Sequence, residues 1–508
     1  MAEVSLQQPL SIEERIPESA KFEKLSSASI IRGRRTVRFQ PSTGTTVDSF
    51  NGSQIITFRI SDSNAYLDPL SAYLAFDLAL TQGTIATHGG IAWDDTVISL
   101  FNRVRTEFNS VNMDDINDVD SLVAALIYSL GDKNAYCQDL GLQAGSWKWN
   151  SDNYGVAPQT NGTLVAAPTT VVFASEGQTT AVQRRASTWY SSNYTAADEA
   201  TPESVSKFKF AVPLSYFRIG VMAQPKFLAL RNLGILSIHL YTNTAGRALR
   251  TGVAEFASTA ATTAGKSLFN HTADLAGGKF VMSNLAIVAQ VLDMDPRYLE
   301  ITDRQATSSE TGIVYDFNTF TNLKASYTAS TSVTERNITV SKATTSLRNM
   351  YIVRQPSSWR ESAGYCGVTG FPYMDCQGFR VQINSLYIPE YGPAESATEQ
   401  YNMGRQAHAL LGNQDSVGNT RVDGFVSVAS EDSDINGQHV LVAGFDRSTN
   451  QNITLDGINT VSSGGSITLT IRDAGSLDAG GANPITMNTW AEFTRFLVLK
   501  QNSVSVVG

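Results

Sequence analysis

A short strand, a polar turn and a lone helix occur twice in this chain, in the same order and at similar depth in each half. That repetition restricts its folds more than any other feature. The later copy is "GFRVQINSLYIPEYGP" followed by "AESATEQYNMGRQAHALLGN". Phe379, Val381 and Ile383 alternate with Arg380, Gln382 and Asn384, the period of a half-buried strand. Pro389 and Pro393 end it. Tyr401, Met403, Ala407, Leu410 and Leu411 then recur at roughly helical spacing until Gly412 and Asn413 supply a stop. The earlier copy begins in "VISLFNRVRTEFNSV", where Val104, Thr106 and Phe108 alternate with Arg103, Arg105 and Glu107. An acid-rich turn, "NMDDIND", leads into the helix "VDSLVAALIYSLGD", with acids where a helix N-terminus favours them and Gly131 where a helix stops. The interval from Arg103 to Arg380 and that from Leu130 to Leu411 agree within four residues.

Strand-like alternation surrounds both copies, in "SQIITFRIS", "AYLAFDLALT", "TGIVYDFNTF", "SITLTIRDA" and "FTRFLVLKQNSVSVV". At 508 residues the chain is long enough for two such bodies, each with its own core. Short alternating strands, long connections and a lone helix after a middle strand predict an all-β chain of two tandem antiparallel jelly-roll sandwiches. Immunoglobulin-like arrays would give shorter, more uniform repeats without that helix. The expected division is an N-terminal arm over 1–29, a first roll over 30–245, a connection over 246–278 and a second roll over 279–508. The polar stretch 131–203, too rich in Gly, Ser, Thr and Asn to be core, is expected to be an exposed insertion of the first roll.

Charged residues make up only 17% and the formal net charge is −9, so the surface as a whole repels phosphate and any nucleic-acid contact has to be local. One local candidate is the run "IIRGRRTVRFQP", with Arg32, Arg34, Arg35 and Arg38. It reads either as a solvated turn at the first strand or as a contact to nucleic acid, head groups or an acidic neighbour. Cys137, Cys366 and Cys376 are odd in number and lack metal-ligand spacing, which predicts reduced thiols. The sequence opens with "MAEVSLQQPLSIEER", which has no apolar signal core, and the longest apolar stretch, "SLVAALIYSL", is about half a membrane span, so a soluble protein is expected.

No catalytic or metal constellation emerges, and no cofactor is called for. His88, His239, His271, His408 and His439 are scattered, GxSxG and the Walker loop are absent, and "NMDDINDVD" lacks the Gly and Glu of a calcium loop. Carboxylate pairs for glycoside hydrolysis are set by spatial separation and leave no sequence signature. Trp147, Trp149 and Trp189, in or beside the insertion, fit either sugar stacking or packing of the insertion onto the roll or a sister subunit. The first option keeps a carbohydrate-binding, adhesive or fibre protein as the alternative reading.

"KFKFAVPLSYF…PKFLALRNLGILSIHLYTN" resembles the closing segment of the first roll in double jelly-roll major capsid proteins. "KFVMSNLAIVAQVLDM", "TTSLRNMYIVRQ" and "GFRVQINSLYIP…YNMGRQAHALLGN" resemble second-roll segments of virophage and polinton-like virus capsids. The resemblance implies a non-enzymatic structural protein of a double-stranded DNA virus that forms pseudo-hexameric homotrimers and then an icosahedral shell. It also implies a place in the virion after assembly inside the host cell. The implied partners are neighbouring capsomers, penton and minor or cement proteins, with a genome or inner-membrane contact through the N-terminal arm and Arg32, Arg34, Arg35 and Arg38.

Overall fold

A computed structural model of the chain describes residues 30–48, 53–62, 65–81, 89–93, 96–129, 207–253, 279–308, 312–328, 330, 332–357, 360, 368, 370–409, 439–445, 457–461, 464–473 and 484–508. The expectations for the arm 1–29 and the insertion 131–203, including Trp147, Trp149 and Trp189, lie outside the described residues. So do those for Cys137, Cys366, Leu410 and Leu411.

The first roll is built from β1 (Ile31–Phe39), β2 (Ile55–Ile60), β3 (Tyr66–Thr81), β4 (Phe101–Phe108), β5 (Val111–Asn117), β6 (Lys207–Pro213), β7 (Leu236–Thr242) and β8 (Lys279–Met294). The second uses β9 (Ile313–Thr328), β10 (Thr334–Ser341), β11 (Leu347–Pro356), β12 (Gly378–Ile383), β13 (Leu386–Ile388), β14 (Leu441–Gly444), β15 (Ser466–Asp473) and β16 (Pro484–Lys500), with β17 (Ser503–Val507) folding back on β16. The sheets of the first roll run β1-β8-β3-β6 and β2-β7-β4-β5, and those of the second run β9-β16-β11-β14 and β10-β15-β12-β13. Each strand n of the first roll thus has its counterpart at n plus eight, and the pairing within both rolls is antiparallel. This is the predicted two-roll architecture.

Strand β8 corrects the expected boundary. Lys279–Met294 was assigned to the second roll, yet it is the central strand of a first-roll sheet: Ile287 faces Phe39 on β1 and Leu74 on β3. Residues Leu285–Ala289 are buried in succession, so both faces of the strand are covered there, which matches its nearly unbroken apolar run. The supposed connection over 246–278 accordingly begins within the first roll, where Leu249–Val253 pairs with Gly89–Trp93. The rolls are joined by α3 (Pro296–Thr307), which Asp295 caps by accepting from the Arg297 amide at 2.9 Å.

The repeated unit is a hairpin followed by a helix. All of "NMDDIND" except Asp118 lies in strand β5 rather than in a turn, because the reversal comes earlier, at Asn109 and Ser110, both with left-handed φ (46° and 70°). The two-residue turn Asn384–Ser385 joins β12 to β13, with left-handed φ (54°) at Asn384 alone. After β5 comes α1 (Val119–Val123), continued as a π-helical turn over Ala124–Ser129; after β13 comes α4 (Ala397–Ala409). A short helix, α2 (Gly220–Ala223), lies between β6 and β7. Phe379, Val381 and Ile383 point into the second core with Ile352 and Leu469, as their alternation predicts.

A polar network crosses one side of that core. The Arg354 guanidinium on β11 meets Asp473 on β15 and donates to the Tyr373 carbonyl at 3.0 Å. It also lies 3.1 Å from His439 Nδ1. Since arginine can only donate, Nδ1 accepts, and Nε2 therefore carries the proton and donates to Gln400 Oε1 on α4 at 3.0 Å. Arg336 on β10 and Tyr327 on β9 complete the shell around Asp473, while the buried Cys376 thiol lies beside Arg354 and its backbone carbonyl accepts from Gln400 Nε2 on α4 at 3.1 Å.

Burial first, and the Arg354 charge second, push the His439 imidazole well below its usual range. A histidine kept neutral on folding contributes stability that is complete above its unfolded value of about 6.5 and is lost as pH falls below it. The melting temperature is expected to fall between pH 7.5 and 5, and His439→Gln should lower stability at neutral pH while flattening this slope. Thermal melts across that range check both outcomes.

Candidate subunit interface

The two rolls meet through unlike faces: β5 and the start of α1 in the first, against the outer faces of β9 and β16 in the second. Trp490 on β16, fully buried, donates from Nε1 to the Asn117 carbonyl at 3.1 Å. Arg495 on the same strand donates to the Met113 carbonyl at 2.5 Å. Gly220 on α2 lies so close to β9 that an added Cβ would sit 2.1 Å from the Asn318 carbonyl oxygen and 2.6 Å from Phe317 Cδ2. Only a residue without a side chain allows this approach. Phe317, Phe320, Tyr351 and Trp490 of the second roll join the apolar cluster of the first.

Asp118 is the centre of the junction. It precedes α1 with a left-handed φ of 50° and makes no side-chain capping bond. Its carboxylate instead reaches across the junction, accepting from Arg360 Nη2 at 2.6 Å, Lys324 Nζ at 2.5 Å and Asn322 Nδ2 at 2.8 Å. From its own roll Arg247 approaches at 2.9 Å and also grips Asp120 with two bonds of 2.9 Å. Asn243 donates to Asp120 at 2.7 Å. Burial opposes ionisation of Asp118, but Arg247, Arg360 and Lys324 outweigh it and hold its carboxyl at about 2. Asp120 moves the other way, raised by burial and by the charge of Asp118 against the pull of Arg247. Asp114 on β5 is raised by burial as well, although Thr319 of β9 and Thr106 bond to it.

The acids of "NMDDINDVD" were expected to mark a helix start. Of them, only Asp120 occupies the first turn, while Asp114 and Asp115 lie on β5 and Asp118 is turned toward the other roll. Their distant partners Arg247, Lys324 and Arg360 carry no local signal.

The arginine run forms the edge strand β1 rather than a turn beside it. Arg32 binds Asp295 through Nε and Nη2 at 3.1 and 2.9 Å, Arg35 pairs with Asp62, and Arg38 donates to the Asn284 carbonyl at 2.9 Å. Among the described residues Arg34 has no polar partner. Arg32 and Arg35 nevertheless remain 59% and 50% exposed, so their cationic surface is available to a neighbour.

Removing one member of a buried ion cluster leaves the others uncompensated, so Asp118→Ala is expected to cost about 3–5 kcal/mol. Gly220→Ala is expected to destabilise by forcing α2 away from β9. Denaturant unfolding monitored by Trp490 fluorescence checks both, and an Asp118→Ala loss below about 1 kcal/mol, the range of a surface pair, would contradict the central role of this carboxylate.

No family model matches the sequence, and no curated protein matches it. Solved structures do. A chain of the Sputnik virophage aligns over 100% of this chain and 93% of its own, at 13% identity and a TM-score of 0.54. VP54 of PBCV-1, fitted into a reconstruction of that virophage, aligns over 96% and 100%, at 10% identity and a TM-score of 0.52. The Faustovirus major capsid protein aligns over 92% and 90%, at 11% identity and a TM-score of 0.50. At such identities the shared property is the fold, and the chain has the double jelly-roll fold of these viral proteins along almost its whole length.

Proposed function

We propose that this chain is a major capsid protein, a structural subunit of the virion of a double-stranded DNA virus, and that three copies close into a pseudo-hexameric capsomer. The observation that carries this reading is the junction. Two rolls of identical strand order pack through unlike faces, so each retains one face of the kind the other has used. Repeating such a contact between copies gives a heterologous interface, which closes into a ring when the rotation permits. Two rolls per chain and three chains give six similar positions. The full-length likeness to viral capsid chains supports the same reading. Capsomers then associate into an icosahedral shell with penton and minor proteins, and the arm 1–29 together with β1 faces neighbouring subunits, the genome or an inner membrane.

Purified protein is expected to be a trimer at micromolar concentration by light scattering, and electron microscopy should show compact hexagonal particles. A stable monomer or an elongated particle would favour the adhesin or fibre reading instead.

A further inference from the structure

The inner junction has an unfilled counterpart on the surface. In the first roll, Asp118, which follows β5, meets Lys324 on β9 of the second roll's outer sheet face, and Arg495 on β16 donates to the Met113 carbonyl within β5 beside Asp114 and Asp115. Adding eight to each strand of the first roll gives the corresponding edge of the second: β13 and the segment leading into α4. That edge is uncovered, with Tyr391 74% and Tyr387 36% exposed. It is also acidic, bearing Glu390 and Glu395, the latter 70% exposed and 4.0 Å from Arg472. Its shape is held from within. Arg380 stacks on Tyr387 at 4.0 Å and donates to the Pro389 and Glu390 carbonyls at 3.1 and 3.0 Å. Ser396 Oγ accepts from the Glu399 amide at 3.1 Å, the Glu399 carboxylate accepts from the Glu395 amide at 3.1 Å, and Tyr391 bonds to Glu399.

The complementary face is the one that corresponds to β9 and β16, namely β1 and β8. Val37 and Phe39 of β1 turn toward the core, while Arg32, Arg34, Thr36 and Arg38 lie on the exposed side of the strand. The inner junction pairs carboxylates of a hairpin-helix edge with cations of an outer sheet face, and the uncovered surfaces offer the same signs on the same elements. No second copy has to supply a new type of contact.

We propose that the Glu390, Tyr391 and Glu395 edge of the second roll docks on the Arg34 and Arg38 face of β1 in a second copy of this chain. This interface rests on the capsomer reading and specifies which surfaces join its subunits. Its charge pairs remain near water, so they set orientation and association rate and respond to salt. The tyrosines supply the apolar contact at its centre.

The test uses the full chain and sedimentation velocity at low and at physiological salt. Arg34→Glu with Arg38→Glu, and separately Glu390→Arg with Glu395→Arg, are each expected to raise the trimer dissociation constant at least about tenfold. Combining all four substitutions should restore it to within about threefold of the parent, because the charges are exchanged across one contact. Arg34→Ala and Glu390→Gln, which remove charge without adding any, serve if a reversal prevents folding; each should weaken the trimer more at low than at physiological salt. A monomeric parent protein would overturn the capsomer reading itself. A trimeric parent unaffected by every variant, or weakened by both reversals without mutual rescue, would leave that reading standing and overturn this interface.

Discussion

The Asp118 carboxylate fixes how the two rolls sit together. It is almost fully buried and meets two arginines and a lysine, with Arg360 and Lys324 arriving from the other roll. Burying so many charges is costly, and the cost is met only when every partner is in place. Apolar contacts such as Trp490 against β5 would tolerate small slips between the rolls. The charge cluster does not, because a displaced cation would leave a buried carboxylate unmatched. The junction therefore selects one relative orientation, and any ring built by repeating it inherits that angle.

The local close approach of Gly220 to β9 acts in the same direction. An ordinary side chain at 220 would hold the layers apart and lengthen the bonds from Arg495 to Met113 and from Trp490 to Asn117. Packing and electrostatics are thus coupled: the ion cluster has its geometry because α2 allows the sheets to close.

What could be read from the sequence was whatever is written in local period. Phe379, Val381 and Ile383 alternate because one side of β12 is core, and a helix follows each hairpin as expected, while the expected stops at Gly131, Gly412 and Asn413 lie outside the described residues. The boundary was misplaced because β8 pairs with β1 and β3 from more than two hundred residues away, and nothing within Lys279–Met294 says which roll it completes. "NMDDIND" was misread as a turn because its acids look solvent-bound, although Asp114 and Asp118 are buried by partners on other strands. The sequence thus showed the acid cluster and the arginine run as separate features. The strand order relates them: the acid cluster lies at the junction between the rolls, and the arginine run lies on β1, the first-roll counterpart of the β9 strand that carries Lys324 at that junction.

The two copies of the hairpin-helix edge use charge differently, and the difference follows from when each is covered. The first copy is covered as the chain folds, so it can hold buried carboxylates such as Asp118 and Asp120 that are never left without cations. The second stays uncovered within the chain, with Tyr391 74% exposed, and in the proposed interface only a second copy covers it. Its carboxylates, Glu390 and Glu395, lie at the surface, where hydration stabilises them, and its tyrosines keep a polar hydroxyl on an apolar ring. Exposed aliphatic residues at the same edge would invite nonspecific association of an acidic but sparsely charged protein. In the proposed interface an edge of glutamates and tyrosines meets a strand of arginines, so opposite charge rather than bare apolar area selects the partner.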